Sequence, residues 1–114
     1  MSFKPDLRLR HQPQLIARKV QARPSAIHGK GLFARRPIRA GEHLGSYRGL
    51  RTRSDGKYVL WVEGSRGRRH GRRGTTLLRY LNHADAPNAE FDGFDLFALE
   101  DIQPGEEITI DYGG

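Results

Sequence analysis

Apolar residues in this chain fall in short runs cut by glycine, proline and charge, and the runs are rich in β-formers rather than spaced for helices. Residues 44–50, Tyr58-Val59-Leu60-Trp61-Val62, residues 91–99 and residues 107–112 each predict a strand. In the last of these, Ile108 and Ile110 share one face, with Thr109 and Asp111 on the other. A shorter strand is expected over residues 15–20, before a turn at Pro24-Ser25. Pro37-Ile38 and Ala40-Gly41-Glu42 mark further turns, and residues 75–81 suit one or two helical turns. Residues 66–73, Arg-Gly-Arg-Arg-His-Gly-Arg-Arg, carry no apolar alternation and read as a loop. Ahead of all this, Phe3, Leu7, Leu9, Leu15 and Ile16 show no period, and Pro5 and Pro13 break any helix. The pattern predicts an N-terminal arm over residues 1–17 and a mainly β domain over residues 18–114.

With 114 residues there is room for one small core, and 14 glycines and six prolines agree with many turns. The absence of cysteine excludes disulfides, thiolate zinc sites and a cysteine nucleophile, so no metal site is expected. No apolar run is long enough to span a membrane or to serve as a secretory signal, which makes no membrane contact and a cytoplasmic, or nuclear or nucleoid-associated, location the expectation. The formal charge of +7 comes from 20 basic and 13 acidic residues, and only Lys4, Lys19, Lys30 and Lys57 among the basic ones are lysine. Two readings of that charge stay open: a nucleic-acid or acidic partner, or an arginine-rich solvated surface.

Four segments carry candidate chemistry: Gly29-Lys30-Gly31, Tyr47-Arg48-Gly49, Arg79-Tyr80-Leu81-Asn82-His83 leading to Pro87-Asn88, and Gly105-Glu106-Glu107-Ile108-Thr109-Ile110-Asp111-Tyr112. Singly each is weak. In this order and spacing the chain resembles the SET family of protein lysine methyltransferases from about Val20 to Tyr112. Residues 27–34 are similar to the family's opening G-x-G segment, and residues 47–49 to its Y-x-G. Residues 79–88 are similar to R-F-x-N-H-x-C-x-P-N, with Tyr80 for phenylalanine, and residues 107–112 to E-L-x-x-D-Y, with Ile108 for leucine. The resemblance implies a β-clip of small curved sheets in which the C-terminal segment threads beneath a preceding loop as a pseudoknot. It also implies methyl transfer from S-adenosylmethionine to a lysine of a protein substrate, leaving S-adenosylhomocysteine, with cofactor and lysine entering from opposite faces.

By the same resemblance, cofactor contacts are expected from Gly29, Lys30, Gly31 and Leu32 and from Arg79, Asn82, His83 and Tyr112. The glycines would let backbone approach the ligand, and the Asn82 amide would offer donors and an acceptor. Tyr112 is expected to carry catalysis, with Tyr58 and Tyr47 as further candidates, and Tyr58, Phe91 and Tyr112 are expected to line the lysine channel. A core tyrosine with a satisfied hydroxyl is the competing reading for each of these tyrosines, as a plain turn is for the glycines. A free lysine amine has a pKa near 10.4, so presenting it neutral at pH 7 costs roughly 4–5 kcal/mol. A desolvated channel ending in a tyrosine hydroxyl lowers that cost and orients the amine.

The chain also departs from the family. The signature cysteine is Asp85 here, and no cysteine-rich tail follows to seal the channel. The arm of residues 1–17, the loop of residues 66–73 or a second subunit must then close it, and a homodimer, in which one copy completes the other's substrate face, is expected. Histones, histone-like proteins and ribosomal proteins all suit as substrates. Arg66, Arg68, Arg69, Arg72 and Arg73 are candidate nucleic-acid contacts, without interleaved aromatic residues for base stacking. The alternative is a nucleic-acid-binding or interaction module on a SET scaffold, without turnover.

Overall fold

Short apolar runs bounded by turn residues become short strands, and no strand here exceeds six residues among the described ones. The structure, a computed structural model, describes residues 17–112, so nearly all of the expected arm lies outside the described residues; of the strand expected over residues 15–20, residues 17–19 form a helical turn instead and Val20 alone is in a strand, as the first residue of β1. In chain order the strands are β1 Val20–Pro24, β2 Lys30–Ala34, β3 His43–Ser46, β4 Gly49–Thr52, β5 Val59–Glu63, β6 Arg69–Gly74, β7 Asn82–His83, β8 Ala89–Asp92, β9 Asp95–Ala98 and β10 Glu107–Ile110. They form three small sheets ordered β1-β2-β10-β7, β3-β9-β8 and β4-β6-β5. A 3₁₀ turn, Leu77–Tyr80, stands where one or two helical turns were expected.

The last strand sits inside the first sheet. β10 pairs antiparallel with β2, Ile108 opposite Leu32, and parallel with β7, Thr109 opposite Asn82. Both of its faces are covered, so Thr109 is buried along with Ile108 and Ile110, and the alternation seen in the sequence does not mark a solvent face. Asn88 locks the insertion. Its Nδ2 donates to the Glu107 carbonyl at 2.8 Å, and its Oδ1 accepts from the Thr109 N–H at 2.8 Å. One amide thus does for β10 what a neighbouring strand would do. Around this insertion Val20, Leu32, Ile38, Leu44, Leu78, Leu96, Ile102, Ile108 and Ile110 close the core.

Two elements differ from the sequence reading. Residues 44–50 are not one strand: β3 pairs with β9 and β4 with β6, and Tyr47 and Arg48 carry the chain between the two sheets. The Tyr47 N–H bonds the Phe94 carbonyl (2.7 Å), and the Arg48 carbonyl accepts from Thr75 N–H (3.0 Å), one sheet's neighbourhood on each side. Residues 66–73 are not simply a loop either. After a 3₁₀ turn at Ser65–Gly67, β6 is the central strand of its sheet. No apolar alternation announces it, because pairing on both sides holds it and arginine stems supply its packing. Arg72 lies 3.8 Å from the Phe94 ring centroid and donates to the Tyr47 carbonyl at 2.9 Å. Gly49 and Gly74, paired across β4 and β6, permit this fit: a Cβ at Gly49 would lie 1.6 Å from the Arg73 carbonyl oxygen.

Candidate active site

Two cavities meet at Tyr112. The first, about 540 Å³, is lined by His28, Gly29 and Lys30 before and on β2, by Lys57, Tyr58 and Val59 leading into β5, by Arg79, Tyr80, Leu81 and Asn82 around the 3₁₀ turn, and by Tyr47 and Tyr112. The second, about 470 Å³, is a groove between β5 and β8, lined by Leu60, Trp61, Val62 and Glu63 on one side and Phe91 and its neighbours on the other, with Asp111 and Tyr112 at its end. Tyr112 lines both.

The hydrophobic strand β10 brings Tyr112 to this junction, and His83 holds it there. The Tyr112 N–H donates to His83 Nδ1 at 3.2 Å, which leaves the imidazole proton on Nε2, facing Asp85 Oδ1 at 3.2 Å. Nearly half of the Tyr112 surface is open (47%), but its hydroxyl donates to the Leu81 carbonyl at 2.7 Å. Loss of water around that oxygen pushes its pKa up to about 12, so the group is a neutral phenol over the physiological range. With its proton committed to Leu81, the oxygen has lone pairs left to turn to a ligand.

Tyr47 and Tyr58 are locked to each other. The buried Tyr47 hydroxyl donates to the Tyr58 carbonyl at 2.5 Å, and burial, followed by the neighbouring Tyr112, holds its pKa far above that of a free phenol. Tyr58 takes φ of 67°, a left-handed conformation rare for a large side chain. That turn aims its carbonyl at the Tyr47 hydroxyl and at the Gly74 N–H, 2.8 Å away. Strain of this kind collects at functional sites. Phe91 packs edge-on against Tyr47, centroids 5.8 Å apart, so an aromatic pair separates the groove from the first cavity beside Tyr112.

The first cavity is cationic and aromatic, with no carboxylate lining it among the described residues. Arg79 stacks on Tyr80 at 4.3 Å and donates to the Thr76 carbonyl and the Tyr80 hydroxyl. Lys30 lies 5.6 Å over the Tyr80 ring and Lys57 5.1 Å over the Tyr58 ring. Asn82 directs Nδ2 at Glu107 Oε2 (2.9 Å) and at oxygens of Ser25, His28 and Lys30, between 3.1 and 3.2 Å away.

Of the expected cofactor contacts, Gly29, Lys30, Arg79, Asn82 and Tyr112 line this cavity; Gly31, Leu32 and His83 do not. Leu32 is core. A Cβ at Gly31 would lie 2.2 Å from Glu107 Oε2, so its missing side chain makes room for that carboxylate. His83 acts through the Tyr112 backbone. His28, Lys57 and Tyr80 are additional lining residues; Tyr80, inside the Arg-Tyr-Leu-Asn-His segment, was within reach of sequence reasoning, whereas Lys57 enters only because the chain folds back before β5.

Fold and site define a small β protein with a cavity and a groove joined at one tyrosine. The SET-domain family model matches residues 29–113, and the chain belongs to that family. It is 33% identical over 131 aligned positions to human histone-lysine N-methyltransferase 2B, a match that takes in 93% of this chain and 5% of that far longer protein. The methyltransferase domain of human PR domain-containing protein 2 has the same fold, with a TM-score of 0.70 at 23% identity, covering 85% of this chain and 78% of that one.

Proposed function

We propose that the protein is an S-adenosylmethionine-dependent protein-lysine N-methyltransferase acting on basic proteins such as histone-like or ribosomal proteins. The observation that carries this reading is that Tyr112 lines both cavities, so a cofactor on one side and a lysine on the other would meet at its hydroxyl. The first cavity suits the cofactor in size and in chemistry. Lys30, Lys57 and Arg79 offer cations for its carboxylate and Tyr58 and Tyr80 aromatic faces for its other parts. The Asn82 side-chain oxygen is free of the contacts its nitrogen makes and suits an ammonium. When bound, S-adenosylmethionine supplies an activated methyl group.

The chain's own residues do the rest. The wall of Phe91 and Tyr47 strips water from an incoming lysine stem and favours the neutral amine. The Tyr112 oxygen, its proton held by Leu81, accepts from the amine and aligns the nitrogen lone pair toward the first cavity. The lysine ammonium gives its proton to water as it is enclosed, and transfer leaves the nitrogen as a methylated ammonium. We propose further that a second copy of the chain covers this groove, whose rim carries the exposed Leu99; light scattering at working concentration would read a dimer.

The test is to incubate the protein with methyl-labelled cofactor and a panel of basic proteins, and to map label by mass spectrometry. Label on lysine is expected. Tyr112→Phe is expected to lower transfer by about 3 kcal/mol, roughly a hundredfold, with cofactor affinity retained by calorimetry. Near-normal turnover in that variant would remove Tyr112 from the mechanism. No label on any lysine, with cofactor bound, would remove the enzyme reading altogether.

A further inference from the structure

The formal charge is not spread over the molecule. Residues 48–74 hold nine of the 20 lysines and arginines but only two of the 13 acids, which makes +7. The remainder of the chain holds 11 of each sign and is formally neutral. The whole excess therefore sits on the β4-β6-β5 sheet and its connections, and all nine cations but Lys57 are arginine.

That sheet also carries a third cavity, about 610 Å³, separate from the two that meet at Tyr112. Its lining is Arg51, Arg53, Arg68, Arg69 and His70, with Thr52 and the backbone of Gly71. It exists because the strands end at different places. β4 stops at Thr52, opposite Gly71, while β6 begins two residues earlier, at Arg69, and is paired there only with β5. The groove follows the edge that β4 leaves open. All five basic side chains are exposed. Neither acid of the segment lines the groove. Asp55 accepts from the Trp61 indole and the Gly56 N–H, and Glu63 is the cross-strand neighbour of Arg69. Arg72, by contrast, is spent on Phe94 and Tyr47, so the five arginines singled out in the sequence are not the set that this edge gathers.

We propose that this groove binds the sugar-phosphate backbone of a nucleic acid. Exposed arginines present planar forks of donors matched to phosphate oxygens. They are crowded together at a sheet edge, and a partner with closely spaced negative charges relieves their mutual repulsion by neutralising them and releasing its own counterions. Among the described residues the lining contains no apolar side chain, so it lacks the side-chain pockets by which a sheet edge selects a peptide strand. Its one ring among the described residues is the His70 imidazole, with no phenylalanine, tyrosine or tryptophan to build a stacking platform, so contact is chiefly to the backbone and independent of base sequence. Trp61 is not a stacking platform for bases here, since Arg69 already lies 4.7 Å over its ring. The proposal does not depend on methyl transfer.

The experiment is fluorescence anisotropy of the full chain with a labelled DNA duplex, a labelled single-stranded RNA and a labelled polyglutamate peptide, each across a salt series. Binding of nucleic acid is expected, with affinity falling steeply as salt rises. In Arg51→Gln/Arg53→Gln/Arg68→Gln/Arg69→Gln the affinity should drop at least about tenfold and the log–log salt slope by about one for each phosphate contact removed. Arg53→Gln/Arg68→Gln, which changes only two exposed arginines of the groove, should show about half of that change in slope should the fourfold variant not fold. Arg23→Gln/Arg39→Gln, away from the groove, should bind like the wild type. The DNA and RNA arms decide which backbone is preferred. Absence of nucleic-acid binding at low salt overturns the proposal, as does equal loss in the variant away from the groove. Polyglutamate bound with nucleic acid ignored overturns it in favour of an acidic protein partner.

Discussion

In the β1-β2-β10-β7 sheet and its surroundings, polar side chains hold one another; in the β4-β6-β5 sheet, charged side chains mostly face water. Asn88 clamps β10, Ser25 and Asn82 share the Glu107 carboxylate, and His83 fixes the Tyr112 backbone. The second sheet has Leu50 63% exposed and exposed arginines on two of its strands, Arg51 on β4 and Arg69 and Arg73 on β6. Among the described residues no buried side-chain polar atom lacks a partner, so the first network is complete where it is buried. Such a network is intolerant of change because each member removed leaves another unsatisfied. A solvated sheet held by backbone pairing and glycine packing depends less on its polar side chains, Arg72 on Phe94 and Tyr47 apart.

The sharpest way to break this contrast is Asn88→Ala. It strands the Glu107 carbonyl and the Thr109 N–H inside the sheet, and two buried unpaired groups cost about 2–5 kcal/mol together. Urea unfolding should read that loss, while Leu50→Ala in the second sheet should stay within about 0.5 kcal/mol of wild type. Equal effects would show that the two sheets do not differ in this way.

Gly74→Ala probes what the second sheet does depend on. Its Cβ would come 2.5 Å from the Tyr47 hydroxyl oxygen and 2.9 Å from Arg79 Cβ. Overpacking of this kind costs about 1–3 kcal/mol. The same change should also disturb the first cavity, since Tyr47 and Arg79 both line it. A stability loss with unaltered cofactor affinity in calorimetry would separate the glycine's packing from the site.

This contrast also explains what could be read from the sequence. Residues in the polar network are those whose chemistry cannot be replaced, so they stand as motifs: Asn82, Asn88 and Tyr112 were visible, as was the strand holding Ile108 and Ile110. β6 was not, because its residues carry no period-two pattern and its strand character comes from β4 and β5 on either side. Nor was the split between β3 and β4, which depends on Tyr47 and Arg48 bonding to different neighbours. Nor could the sequence show that the missing side chain of Gly31 makes room for a carboxylate from a strand 76 positions later, a contact only the folded chain brings about.

The smallest effect concerns alkaline pH, and it tests whether the junction at Tyr112 is as closed as its hydrogen bond implies. The ordinary phenol pKa is 10.0, and that of Tyr112 is pushed up to about 12 by burial of its hydroxyl. A raised pKa means that the folded state keeps a proton that the unfolded chain loses. The associated stability is fully present below pH 10 and declines as pH rises from there through about 12. Tyr47 titrates higher still and acts in the same direction. Stability measured by urea unfolding should therefore fall across this window. Tyr112→Phe should shallow the fall without abolishing it, because Tyr47 remains. The ultraviolet absorbance of tyrosinate gives a second reading: the wild type should show a late-titrating phenol that Tyr112→Phe removes. If Tyr112 instead titrates near pH 10, its hydroxyl is open to water and the bond to Leu81 does not hold it at the junction.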